Sequence, residues 1–197
     1  MSAWFILIYK IPAEPTRYRA SVWRKLKAAG AIYLQNGVAA LPADAGNERV
    51  LRGIAHEIAR MQGTAHLLRG AVVGDETALM AAFQAARADE YGEVLGRCRD
   101  FHVELDKERA AGNFTFAELE ENEEDLAKLE TWLTKIRARD PFGSSSRAEA
   151  EQALSACRAD LEVFAAAVYR TADDGSAAAT EHEEPAGAPA TMIDELG

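Results

Sequence analysis

Three stretches of this chain repeat apolar residues in alternating steps of three and four, a spacing that places them on one face of an α-helix. They are Tyr91, Val94, Cys98, Phe101 and Leu105; then Leu119, Asn122, Leu126, Leu129, Leu133 and Ile136; then Ala150, Leu154, Cys157, Leu161, Phe164 and Val168. Gly112 breaks the first seam from the second, and Thr115 to Glu118 (TFAE) is a capping box that opens the second. The loop PFGSSS follows, and Ser146 to Glu149 (SRAE) is another capping box. Short connections make neighbouring helices antiparallel, so the spacing predicts a helical domain over residues 75–171, a helical hairpin or three-helix bundle.

The front of the chain follows a different rule. Trp4 to Ile11 (WFILIYKI) is aromatic and β-branched and reads as a buried strand. Pro12 and Pro15 end it, and Thr16 can cap a helix whose Tyr18, Val22, Leu26 and Ala29 face a core, with Gly30 as its stop. Two apolar runs then flank Asn36-Gly37, a dipeptide that suits a type I′ hairpin turn with positive φ at both central residues. Asp44 or Asn47 caps a second helix with Val50, Leu51, Ile54 and Ile58 on its inner face, ended by Gly63. TAHLLRGAVVG is the last strand. The order β-α-β-β-α-β predicts an α+β fold: a ferredoxin-like domain over residues 1–74, with both helices on one face of an antiparallel sheet, followed by the helical bundle. Residues 172–197, poor in anything to bury, read as a disordered acidic tail.

Charge divides the chain at the same points. Residues 1–74 hold 10 Lys and Arg against 4 Asp and Glu, residues 75–171 hold 12 against 21, and residues 172–197 hold 0 against 7, giving the net charge of −10. A basic front on an acidic protein suits an anionic partner. The Met1-Ser2-Ala3 start supplies no basic region of a signal peptide, and no apolar run approaches the ~20 residues of a membrane span. With Cys98 and Cys157 as its two cysteines, the chain has neither a disulfide framework nor a zinc motif, and the expected location is the cytoplasm.

The basic residues concentrate on the two front helices: Arg17, Arg19, Arg24, Lys25 and Lys27 on the first, Arg49 and Arg52 on the second. At 100° per residue, Arg17, Arg24 and Lys27 lie opposite the apolar stripe, with Arg19 and Trp23 on a flank. They are either a solvated face that pairs with the acidic half, or contacts to the phosphates of DNA or another oxyanion. Cys98 and His102 stand one helical turn apart, which is ligand spacing, yet Cys98 and Cys157 fall on seams where a small hydrophobe packs. His56-Glu57 lacks the second histidine of a zinc-protease helix. No nucleophile triad, phosphate loop or dinucleotide fingerprint appears, so no catalytic residue, metal ligand or cofactor is expected.

Longer stretches are more specific. WFILIYKIPAEPTRYRASVWRKLKAAGAIYLQNGVAALP, then HLLRG, GNFTFAELEENEEDLAKLETWLTKIRARDPFG and AVYR, resemble the N-terminal region of ChrB, the chromate-resistance regulator family, from about Trp4 to Arg170. In that family the region precedes a C-terminal chromate-resistance domain, and the whole protein regulates a chromate efflux operon. This chain turns to an acidic tail where that second domain would begin, so a stand-alone form of the N-terminal domain is expected.

A more distant likeness concerns LIYKIP and RKLKAAGAIYLQNGV, which are similar to ferredoxin-like nucleases of CRISPR adaptation and to a domain of PaaX-type repressors. In the nucleases the first strand ends on an aspartate that holds a divalent metal; here Lys10 stands there, and an ammonium cannot ligate a hard cation. The resemblance implies a non-enzymatic, dimer-forming protein in chromate resistance, acting in transcriptional control through DNA or protein contacts. The competing expectation is an enzyme, a nuclease remnant or a thiol-based chromate reductase using Cys98 or Cys157. DNA, chromate or a chromate-resistance protein, and a second copy of the chain are the expected partners, with no membrane.

Overall fold

The computed structural model describes residues 2–181, with side chains through residue 174. Four strands and five helices follow one another as β1 (Ala3–Lys10), α1 (Arg17–Ala28), β2 (Ile32–Gln35), β3 (Val38–Pro42), α2 (Ala45–Arg60), β4 (Thr64–Ala71), α3 (Thr77–Ala111), α4 (Phe116–Ala138) and α5 (Arg147–Glu181). The strands form a single sheet in the order β2-β3-β1-β4, and every pairing is antiparallel. No helix among the described residues is long and apolar enough to cross a membrane.

Period-two alternation in β1 feeds two cores at once. Phe5 and Leu7 turn toward Val22 and Leu26 of α1 and Leu51, Ile54 and Ile58 of α2. Trp4 turns the other way, against Ile32, Ala40 and Phe83. Phe83 belongs to α3, and its ring stands edge-on to Trp4 (5.7 Å between centroids) and to Phe142 (5.5 Å) in the α4–α5 loop. The first turns of α3 therefore cover the far side of the sheet at the Trp4 end. Ile8, at 41% exposure, lies beyond their reach.

The rest of α3 builds the bundle. Tyr91, Val94, Cys98, Phe101 and Leu105 bury against Leu119, Leu129, Leu133 and Ile136 of α4 and Ala150, Leu154, Cys157, Leu161, Phe164 and Val168 of α5. Arg158 pairs with Glu130 and Arg137 with Glu151, opposite orders that make α4 and α5 antiparallel. His102 meets Asp160 while Cys157 meets Cys98, so α3 and α5 run parallel. Thr115 caps α4 by accepting from the Glu118 amide, and Asp44 caps α2 by accepting from the Asn47 amide.

Local details depart from expectation. Thr16 stands at the start of α1 without a side-chain cap bond. Gly37 has φ +75°, but Asn36 is not among the residues of positive φ, which excludes a type I′ turn; a register irregularity between Tyr33 and Gln35 accompanies the hairpin instead. Helix α2 ends at Arg60, before Gly63, with Gln62 taking the left-handed conformation at φ 60°. Val50 is 43% exposed, because Leu51, Ile54 and Ile58 fill the inward face and leave it on the flank. Finally, α5 continues to Glu181, so the expected tail from residue 172 begins as helix; the remainder of that expectation lies outside the described residues.

Candidate functional site

Helix α1 buries Val22 and Leu26 completely, which leaves its opposite side to solvent. Arg17, Arg24 and Lys27 are all exposed there, and none of them forms an ion pair among the described residues. The Arg17 guanidinium lies over the Tyr18 ring, 5.5 Å from its centroid. Lys25 behaves differently. It pairs with Glu57 of α2, which also accepts from the Ser21 hydroxyl at 3.3 Å. The Lys25 hydrogen bond holds the Glu57 carboxyl below its ordinary range, against the opposing pull of desolvation. That contact joins α1 to α2 beside a groove lined by Ala28, Val50, Gly53 and Arg60. Arg49 is exposed near the C-terminal end of α1 and has no ion pair among the described residues, whereas Arg52 is held by Glu48 at 2.7 Å.

Of the seven expected contact residues, Lys25 and Arg52 are thus partly neutralised on the protein itself. Arg19 is engaged too, donating to the Ala13 carbonyl at 2.9 Å. That bond draws the Arg19 side chain into the wall of a concave site of about 640 Å³, lined also by Tyr9, Ile11, Trp23, Tyr33, Asn36 and Gly37. Burial pushes the Tyr33 hydroxyl well above its ordinary pKa, reinforced by the neighbouring Tyr9 hydroxyl. Trp23 is 51% exposed at the rim. The floor depends on Gly37, whose carbonyl accepts from the Tyr9 amide at 2.7 Å; a Cβ there would stand 2.5 Å from the Tyr9 oxygen.

Three aromatic side chains and a guanidinium beside a row of free cations can stack a planar ring and hold an anion. Sequence reading found the cations and put Arg19 and Trp23 on one flank, but missed Tyr9 and Tyr33. The period-two pattern places both on the same sheet face as Phe5 and Leu7, where a core role is the simpler inference. What makes them a wall is the position of the hairpin beside the N-terminal half of α1.

Lys10 ends β1 opposite Thr64, exposed to solvent. Among the described residues, no three His, Cys, Asp or Glu side chains group so as to hold a metal ion.

Comparison with known families matches residues 19–175 to the model "Protein ChrB, N-terminal". The chain belongs to the ChrB N-terminal family. The match spans most of α1 through most of α5, and that family is a chromate-resistance regulatory family and not a known family of enzymes. No curated protein matches it. Among solved structures it is similar to the uncharacterized protein Rv0674 from Mycobacterium tuberculosis, at 18% identity and a TM-score of 0.34, over 88% of this chain and 63% of that one. The chain thus spans under two thirds of that protein.

Proposed function

We propose that this ChrB-type protein is a non-enzymatic regulatory or accessory component of chromate resistance whose α1 surface contacts the phosphate backbone of DNA. One observation carries the reading. In a chain of net charge −10, where acidic side chains are plentiful, Arg17, Arg24 and Lys27 remain exposed without an ion pair among the described residues. A merely solvated face would more often be laced with i,i+4 partners, as Glu48–Arg52 and Glu124–Lys128 are elsewhere in the same chain. Free cations in a row are what counterion release from DNA requires.

The sheet order and the two helices packed on one of its faces support the ferredoxin-like arrangement, with residues 1–74 as one domain and 75–171 as the other. The family membership supports control of a chromate-resistance operon, with chromate or a chromate-resistance protein as effector or partner, and a homodimer as the acting form in the cytoplasm. Lys10 at the end of β1 speaks against nuclease chemistry, since an ammonium supplies no lone pair to a metal.

The test is fluorescence anisotropy with duplex DNA from upstream of the protein's own gene, titrated with salt, with and without chromate. Binding whose affinity falls log-linearly with salt is expected. Absence of binding at ~50 mM salt, where such contacts are strongest, would remove α1 as a DNA surface.

A further inference from the structure

The bundle holds a second cluster of reactive groups, and packing alone does not account for it. Cys157 of α5 has its Sγ 3.6 Å from His102 Nε2 of α3 and donates toward the Cys98 carbonyl at 3.7 Å. The other ring nitrogen, His102 Nδ1, lies 2.6 Å from Asp160 Oδ2. Asp160 Oδ1 in turn accepts from the Arg109 guanidinium at 2.5 Å. A hydrogen on Nδ1, bonded to the carboxylate, leaves Nε2 as the acceptor facing the sulfur. Cys98, one helical turn before His102 on α3, is buried in the same core cluster as Cys157.

We propose that Cys98 and Cys157 are a peroxide-oxidisable dithiol site, with His102 as the base that generates its thiolate. Seam positions can be filled by alanine or leucine. A carboxylate-oriented imidazole aimed at the Cys157 sulfur, which also meets the Cys98 backbone, has no packing purpose. Cys98 and Cys157 are 2% and 0% exposed, but the His102 ring that touches the Cys157 sulfur belongs to a side chain 36% exposed, which gives a molecule as small as hydrogen peroxide a route along it. Interaction between the two thiols, with the imidazole nearby, lowers the first proton loss of the pair and holds the second back.

The chemistry balances with a hydroperoxide as the two-electron oxidant. One thiol gives its proton to His102 Nε2, and the thiolate attacks a peroxide oxygen, breaking the O–O bond to form a sulfenic acid and hydroxide. Hydroxide takes the proton from His102 and leaves as water. The second sulfur then attacks the sulfenic sulfur, displacing a second water and forming the disulfide. Two thiols and one hydrogen peroxide become one disulfide and two waters. The bond would tie α3 to α5 across 59 positions of sequence.

The folded full chain is exposed to hydrogen peroxide, residual thiols are alkylated, and the intact mass is read. Expected is a reversible loss of two hydrogen atoms per chain without alkylation, restored by dithiothreitol, and formed about tenfold more slowly in His102→Gln. Two thiols that stay reduced until denaturant is added, a disulfide that joins separate chains, or an unchanged rate in a folded His102→Gln would each overturn the proposal. If His102→Gln does not fold, the wild-type mass decides alone.

Discussion

Arg87 of α3 donates from its guanidinium to the Gly30 carbonyl, 2.8 Å away, at the C-terminal end of α1. Arg139, just after α4, reaches the Ala28 carbonyl at 3.1 Å, and Glu90 ties the two arginines together at 3.1 and 3.0 Å. The last carbonyls of a helix lack partners within it and carry its negative dipole end, so two guanidiniums satisfy both demands. Arg87 is 2% exposed, with its charge also over the Phe83 ring at 4.9 Å. This clamp joins the sheet domain to the bundle. Arg87→Ala should cost about 2–4 kcal/mol in urea unfolding, through lost charged hydrogen bonds and packing. Gly30 has φ +80°, and a Cβ there would stand 2.8 Å from Arg139 Cδ and closer still to Arg87, so Gly30→Ala should destabilise by about 1–3 kcal/mol. A Gly30→Ala protein as stable as wild type would show that the clamp is not tight.

Replacing Arg17, Arg24 and Lys27 together with glutamine tests the α1 surface. The three side chains are exposed and carry no packing, so stability should move by no more than about 0.5 kcal/mol. If each contacts a phosphate, the slope of log affinity against log salt should become shallower by about 3. Anisotropy at several salt concentrations reads both affinity and slope. Unchanged affinity would exclude α1.

Trp23 provides an independent reading of the concave site. Half exposed at its rim, it should tolerate Trp23→Ala with little loss of stability. If single-stranded or unstacked bases enter between Trp23 and Tyr33, the substitution should weaken binding of a short single-stranded oligonucleotide by about 1–3 kcal/mol. Quenching of tryptophan fluorescence on adding that oligonucleotide is expected in the wild type and should be smaller in Trp23→Ala.

Acid stability should depend on Asp160. Burial raises its pKa, but hydrogen bonds from Arg109 and His102 outweigh that and hold the folded carboxyl below its ordinary value. A depressed folded pKa contributes stability that is present above the unfolded value of about 4 and lost as pH falls through the folded value. Urea midpoints measured from pH 6 to pH 2 should therefore fall less steeply in Asp160→Asn than in wild type. Equal slopes would show that the His102–Asp160–Arg109 chain contributes nothing to folding.

The seams of α3, α4 and α5 were legible because a bundle core is a periodic object. Each of Tyr91, Val94, Cys98, Phe101 and Leu105 is buried as the three-four spacing requires. The caps at Asp44 and Thr115 were legible for a similar reason: an Asx or Thr side chain bonds the amide three residues on, within the reach of the sequence itself. The hairpin at Asn36-Gly37 was legible as a hairpin but not as a turn type, since the backbone angles answer to strand twist and to the Tyr9 amide that Gly37 must meet.

Local sequence thus determined the elements, their inward faces and the basic side of α1, because helix and strand periods are set by bonds a few residues apart. Tertiary structure alone decided which side of the sheet α3 covers, how Arg87 and Arg139 close the end of α1, and that Cys98, His102, Cys157 and Asp160 meet. Those cross-helix pairings join residues 55 to 111 positions apart, as in His102–Cys157 and Ala28–Arg139. Each is a product of how whole helices pack. No spacing along the chain encodes a distance between helix faces.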